Sequence, residues 1–311
     1  MSTARDLAHT LQKRVWDGSI PLEIRLASAD CRSFDDSDPY LIQFPRLSYL
    51  AFLIPRLHAF LSRFLIDPDV SPTECWLEYQ GVPLKWHYPL GLLYDLYSGS
   101  EPAYPSGGTG RRDEAADEQD SLPWKLTVHF TEMPMDQLFK LDVDGKVLHD
   151  AFINSVKEAD FLRNGTAKTV MSLSKEDSTQ LWEGVKQFRP SIYNPINQKL
   201  LNPQGSNLRH LPIKLYLPHA SSSIKDSTPT PGSLRVVQTP ITPALSSRQP
   251  QTVGTALNQI LPTLFPSRRS PLLAQAVLHG AILPLSTPIE DLTRVGAYLD
   301  GWLHIVIVMM G

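Results

Sequence analysis

The sequence predicts an α+β chain in which two small mixed-sheet domains flank a helix-rich segment. Three observations carry that prediction. One order of elements (strand, strand, helix, strand, strand, short helix, strand) can be read near the start of the chain and again near its end. The stretch between lacks period-two alternation and carries apolar residues at helical spacing. The chain has 311 residues, 42% hydrophobic and 20% charged, which suffices for more than one core.

In the first set, Ile20, Leu22, Ile24 and Leu26 alternate with polar residues and define a half-buried strand. Tyr40 to Phe44 forms the second strand. A helical run follows from Leu47 to Ile66, with Leu50, Leu53, Leu57, Leu61 and Phe64 near one face and Pro55 as an interruption. Cys75, Leu77 and Tyr79 mark a third strand, and the Gln80-Gly81 turn leads to a short fourth over Val82 to Trp86. A brief helix covers Leu90 to Tyr97, and Leu126, Val128 and Phe130 mark the fifth strand.

The second set begins with Leu211, Ile213, Leu215 and Leu217, followed by a strand over Leu234 to Gln238. A helix spans about Val253 to Phe265 behind Thr252 as its cap. Leu273 to Leu278 and Ala281 to Leu285 form a hairpin around His279-Gly280; a short helix from Pro288 to Val295 then precedes a last strand, Trp302 to Met309. This order is that of the ubiquitin-like β-grasp, present twice. Between the two, Leu148, Ala151, Phe152, Ser155, Ala159 and Leu162 share one helical face, and a helix from Lys175 to Phe188 turns Leu181, Trp182 and Val185 inward. The expected division is 1–134 for an N-terminal helix and the first β-grasp, 135–205 for the helix-rich domain and 206–311 for the second β-grasp. Two polar stretches, about 98–121 and 218–251, read as mobile insertions, because they cannot bury enough surface to offset the entropy of ordering.

The chemistry is sparse. Lys and Arg total 29 against 32 Asp and Glu, a net charge of -3 without the basic stripe of a nucleic-acid binder. Two cysteines supply neither a disulfide framework nor a zinc site. Cys75 occupies an inward strand position and Cys31 a polar turn, so neither reads as an activated thiolate. No phosphate-binding loop, serine elbow or metalloprotease motif occurs. No catalytic residue, metal site or cofactor is expected. With no leader or membrane span legible, the chain reads as cytoplasmic.

The run Tyr79-Gln80-Gly81-Val82-Pro83-Leu84-Lys85-Trp86-His87-Tyr88-Pro89-Leu90-Gly91-Leu92-Leu93 and the segment Val156-Lys157-Glu158-Ala159-Asp160 resemble the autophagy-related protein 5 family. Trp16-Asp17-Gly18, Pro45-Arg46-Leu47-Ser48-Tyr49-Leu50 and Gln180-Leu181-Trp182 add to the resemblance, which is weaker over Leu208 to Gly311. It implies a non-catalytic acceptor that receives the terminal glycine of a ubiquitin-like modifier, autophagy-related protein 12, on one lysine. It further implies a coiled-coil partner, autophagy-related protein 16, and an E3-like complex. That complex stimulates an E2-like enzyme to transfer a second ubiquitin-like protein to lipid during autophagosome formation, with recruitment to the preautophagosomal membrane.

The acceptor carried over by the resemblance is Lys157. Its helix supports the assignment, since at about 100° per residue Lys157 lies about 180° from the centre of the Leu148/Phe152/Ala159 stripe. Ile153 and Phe161, one turn to either side, are candidate docking residues for the modifier. Lys85, Trp86, His87, Tyr88 and Gly91 are candidates for a partner surface, or for a turn and short helix that close the first core. Arg268 and Arg269 offer a weak case for peripheral contact with anionic membrane. Two alternatives stand beside the acceptor reading: a transferable modifier ending in Gly311, and an enzyme with a dispersed site.

Overall fold

The computed structural model describes residues 4–33, 37–98, 122–201, 208–218, 234–246 and 249–310. The first helix, α1, spans Ala4–Asp17. Then come β1 (Ser19–Leu26), β2 (Tyr40–Pro45), α2 (Ile54–Leu61), β3 (Trp76–Tyr79), β4 (Val82–Pro83), α3 (Leu90–Tyr97) and β5 (Trp124–His129). The helical stretch holds α4 (Lys146–Asn164), α5 (Lys168–Met171), α6 (Lys175–Lys186) and α7 (Pro190–Leu201). The last third contains β6 (Ile213–Pro218), β7 (Leu234–Gln238), β8 (Ala244–Ser246), β9 (Gln249–Pro250), α8 (Val253–Ile260), β10 (Ala274–Leu278), β11 (Ala281–Ile282), α9 (Ile289–Gly296) and β12 (Leu303–Met309).

The two five-stranded sheets are topological copies. The first runs β2-β1-β5-β3-β4 and the second β11-β10-β12-β6-β7, the same order read from the opposite edge. In each, the first and last strands of the set pair in parallel at the centre, Leu22 against Trp124 and Ile213 against Leu303. The other pairs in these sheets are antiparallel. Alternation drives β1, where Ile20, Leu22 and Ile24 are at most 1% exposed and the intervening residues are not buried. The tight hairpins also match. Gln80 and Gly81 sit at φ 50° and 79°, His279 and Gly280 at φ 53° and 78°. Positive φ at both positions matches the right-handed strand twist, and glycine takes the second position without steric cost.

Several elements differ from expectation. The 47–66 run is not one kinked helix: a 3-10 turn over Leu50–Leu53 hands over to α2, which carries Pro55 in its first turn. There the missing N–H would have had no partner anyway, so Pro55 starts the helix rather than breaking it. The fourth strand is only Val82–Pro83, and the helix after Thr252 ends at Ile260. Thr252 does cap it, within a capping box with Thr255.

The chain forms two compact units, described residues within 18–148 in one and within 1–17, 149–219 and 234–311 in the other. The N-terminal helix therefore packs with the helix-rich segment and the second β-grasp, not with the first as the 1–134 division expects. The cause is aromatic. Trp16 of α1 stacks on Phe188 at 4.6 Å and lies 5.6 Å from Tyr193, while the Gln12 side chain donates to the Arg294 carbonyl at 2.9 Å. Within the expected 218–251 insertion the strand read at Leu234 to Gln238 is present as β7, and the order that follows it corrects the rest of the second half. β7 pairs with β6, β8 pairs with β9, and Gln251 is 1% exposed, donating to Pro243 and accepting from Ile289 through its backbone. Residues 99–121, 219–233 and 247–248 of the two expected insertions lie outside the described residues.

Gly91 lets α3 approach the end of β2. Its N–H donates to the Arg46 carbonyl at 2.7 Å, and an added Cβ would sit 3.0 Å from that oxygen. Gly91→Ala should cost about 1–2 kcal/mol through overpacking. A urea melt showing full wild-type stability would contradict this reading of the position.

Candidate functional site: the exposed edge of α4

The helix α4 carries the acceptor candidate. Its buried face is wider than the stripe read from sequence. Leu148, Phe152, Val156 and Ala159 are buried, and so are Asp160 and Arg163. The two charged residues turn inward because each is paired there. The Asp160 carboxylate accepts the Val170 N–H at 3.0 Å and the Asn164 amide at 2.6 Å. The Arg163 guanidinium donates to the Gly301 carbonyl at 2.6 Å. Burial pulls the Arg163 pKa down, against the upward pull of Tyr193, Asp160 and Asp300.

This widening moves the centre of the packed face toward Lys157. The lysine is half-buried at the edge of that face rather than opposite its centre. Among the described residues no hydrogen bond or ion pair holds its amine. One turn on, Phe161 is 58% exposed; one turn back, Ile153 is half-buried. Phe161 thus presents a large exposed aromatic ring next to an amine that no described residue pairs.

Around Lys157 the helix is tied to the segment between α9 and β12. The Ser155 hydroxyl donates to Asp300 Oδ2 at 2.8 Å, and the Trp302 indole N–H donates to the Ser155 carbonyl at 2.9 Å. The Trp302 backbone N–H reaches Asp300 Oδ1 at 3.2 Å. His304 Nε2 lies 2.9 Å from Asp300 Oδ2, and its Nδ1 lies 2.8 Å from the Tyr216 hydroxyl. With the proton on Nε2 the imidazole donates to the carboxylate, leaving Nδ1 to accept from tyrosine. Glu158, next to Lys157, pairs with Lys214 at 3.2 Å, and the Lys214 ammonium stands 4.0 Å from the Trp302 ring centroid. Sequence reading missed this cluster. Its available signal was Asp300-Gly301-Trp302-Leu303-His304, an acid just before and a histidine within a strand otherwise apolar on both faces.

The second set of candidates lies in the other unit. Trp86 is 1% exposed and Gly91 is buried under Arg46, so both serve the core. His87 is exposed and stacks on Phe139 at 5.6 Å; the Lys85 ammonium lies 5.6 Å from the Tyr88 ring. Cys75 is fully buried, and burial first, then Asp30, pushes its thiol far above the ordinary range. Among the described residues there is no group of His, Cys, Asp and Glu able to hold a metal, and no helix long and apolar enough to cross a membrane.

Comparison with known proteins agrees with this architecture. Residues 15–130 match the description "Autophagy protein ATG5, UblA domain", 145–203 match its "alpha-helical bundle region", and 210–307 match its "UblB domain". Autophagy protein 5 of Phaeosphaeria nodorum is 61% identical over 312 residues, covering 99% of this chain and 100% of that protein. Autophagy protein 5 of Aspergillus terreus is 51% identical over 314 residues, covering 97% of each. The crystal structure of Kluyveromyces marxianus Atg5 superposes with a TM-score of 0.72 at 22% identity, over 96% of this chain and 99% of that one. That likeness shows the fold. The chain belongs to the autophagy protein 5 family.

Asp300 gives this site a pH signature. Burial would raise its carboxyl, but His304 and the hydrogen bonds from His304, Ser155 and the Trp302 amide outweigh burial and hold it below its ordinary 3.8. A depressed carboxylate stabilises the fold above its unfolded pKa, and that stability is lost as pH falls through the folded value. Asp300→Asn should cost about 3 kcal/mol at neutral pH and flatten the loss of stability below about pH 4. Denaturant melts from pH 7 to 3 measure this; parallel acid limbs in variant and parent would refute it.

Proposed function

We propose that this member of the autophagy protein 5 family acts as a non-catalytic conjugation acceptor and scaffold, with Lys157 as the acceptor. The observation that carries the reading is half-buried Lys157, whose amine no described residue pairs, at the edge of α4 beside the exposed ring of Phe161. An amine presented this way needs no catalytic machinery in its own chain. In its neutral form, its nitrogen attacks the thioester carbonyl of a ubiquitin-like modifier carried on an E2-like enzyme. The carbon–nitrogen bond forms, the carbon–sulfur bond breaks, the thiolate leaves, and the amine proton passes to solvent or to a base of that enzyme.

Phe161 and Ile153 fit the docking role because they flank the amine on the same side of α4. The modifier is autophagy-related protein 12 by family resemblance, and the coiled-coil partner is autophagy-related protein 16. The joined assembly acts as an E3-like factor that stimulates transfer of a second ubiquitin-like protein to lipid by its E2-like enzyme. Its site of action is the cytoplasmic side of the preautophagosomal membrane. Exposed His87 and half-buried Lys85 and Tyr88 are the candidates for contact with a partner, whereas Trp86 and Gly91 support the turn beneath them. Against the transferable-modifier alternative stands Met310, whose N–H donates to the Leu273 carbonyl at 2.9 Å.

Lys157→Arg should leave a cooperative thermal melt and eliminate the covalent conjugate on an immunoblot. A conjugate of unchanged amount on the folded variant defeats the assignment. A second expectation concerns docking. Phe161→Ala, which removes an exposed ring, should leave stability within about 0.5 kcal/mol and still slow conjugation.

A further inference from the structure

We infer that Trp302 and Asp300 are positioning residues for the acceptor: from the second β-grasp domain they clamp the turn of α4 that presents Lys157. The inference rests on Lys157 being the acceptor and adds residues 145 and 147 positions from Ser155 in sequence.

The two sides of the lysine converge on one indole. Two residues before Lys157, Ser155 is held twice, by its hydroxyl on Asp300 at 2.8 Å and by its carbonyl on the Trp302 indole N–H at 2.9 Å. One residue after Lys157, Glu158 pairs with Lys214 at 3.2 Å, and Lys214 stands over the same indole ring at 4.0 Å. Trp302 itself is 0% exposed and Asp300 4% exposed, so the clamp is anchored in the core rather than in a mobile loop. Its second anchor is the His304–Tyr216 pair behind Asp300.

Helix α4 is 19 residues long and does not need these bonds to be a helix. Its other buried residues pack without them. What the extra bonds fix is the helix's rotation and its slide along its axis at the lysine. Those two coordinates decide where a long side chain, which no described residue pairs, can deliver its amine. Aminolysis of a thioester needs the nitrogen within about 3–3.5 Å of the carbonyl carbon, and a displacement of about 1 Å can cost on the order of 100-fold in rate. The Ser155 hydroxyl is the part of the clamp that can be removed with least disturbance, because Ser155 is only half-buried.

The test is single-turnover discharge of an E2-bound modifier thioester onto the full chain, with acceptor concentration varied. Ser155→Ala should lower the rate at saturating acceptor about 5- to 10-fold, a fraction of the loss that such misplacement allows, with the half-saturating concentration changed less than twofold. Ser155→Thr, which keeps the hydroxyl, should restore most of the rate. Trp302→Phe, which keeps a ring and removes the N–H, should slow saturated discharge similarly in the protein that remains folded. Wild-type rates in a folded Ser155→Ala overturn the proposal, as does a loss that Ser155→Thr fails to rescue or that appears only in the half-saturating concentration. Lys157→Arg run in parallel separates the two levels. If it still accepts modifier, the acceptor reading itself has failed; if it is inert while Ser155→Ala is normal, only the clamp has failed.

Discussion

The buried carboxylate of Asp300 is the constraint on which the placement of α4 depends. A carboxylate removed from water costs several kcal/mol unless its lone pairs are occupied. Here three donors surround it at described positions, the Ser155 hydroxyl, His304 Nε2 and the Trp302 N–H, and the charge of Arg163 acts on it as well. One of those donors belongs to α4 and the others to the β12 end of the second sheet or its partner side chains. The energetic need to satisfy one acid therefore joins a helix to a sheet. The same bonds leave Lys157 half-buried at the margin of the packed face and Phe161 exposed beside it.

The two β-grasp sheets reach one topology through different local means. Both use a parallel pair of first and last strands at the centre and a two-residue turn with positive φ at both positions. Outside that frame they diverge. The first encloses α2 behind a 3-10 turn, with Leu53, Leu57 and Leu61 fully buried, while the second adds the β8–β9 pair between its second strand and its helix. The shared frame is what alternation and turn chemistry encode, so it could be read twice from the residues alone. Pro55 shows the limit of that reading, because a proline looks the same at a helix start as at a break until the preceding backbone is known.

The rest was less legible for physical reasons. Helix α1 has modest apolar content, and its attachment is decided by Trp16 meeting Phe188 and Tyr193 far along the chain. Local periodicity carries no such information. For α4, the apolar stripe was readable but its width was not. Asp160 and Arg163 count as solvent-facing in any hydropathy pattern, yet both are buried because partners outside the helix satisfy them. That is why Lys157 stands at the margin of the packed face instead of diametrically across from it. The clamp by Asp300 and Trp302 depends on contacts across about 145 residues, which no spacing rule reaches.

The central claim is that one amine, at the edge of α4, receives another protein's terminal carboxyl. Mass-spectrometric mapping of the branched peptide from the conjugate isolated out of cells tests it most directly. The account predicts a terminal glycine of the modifier joined to Lys157 Nζ. A branch on any other lysine of the chain contradicts it.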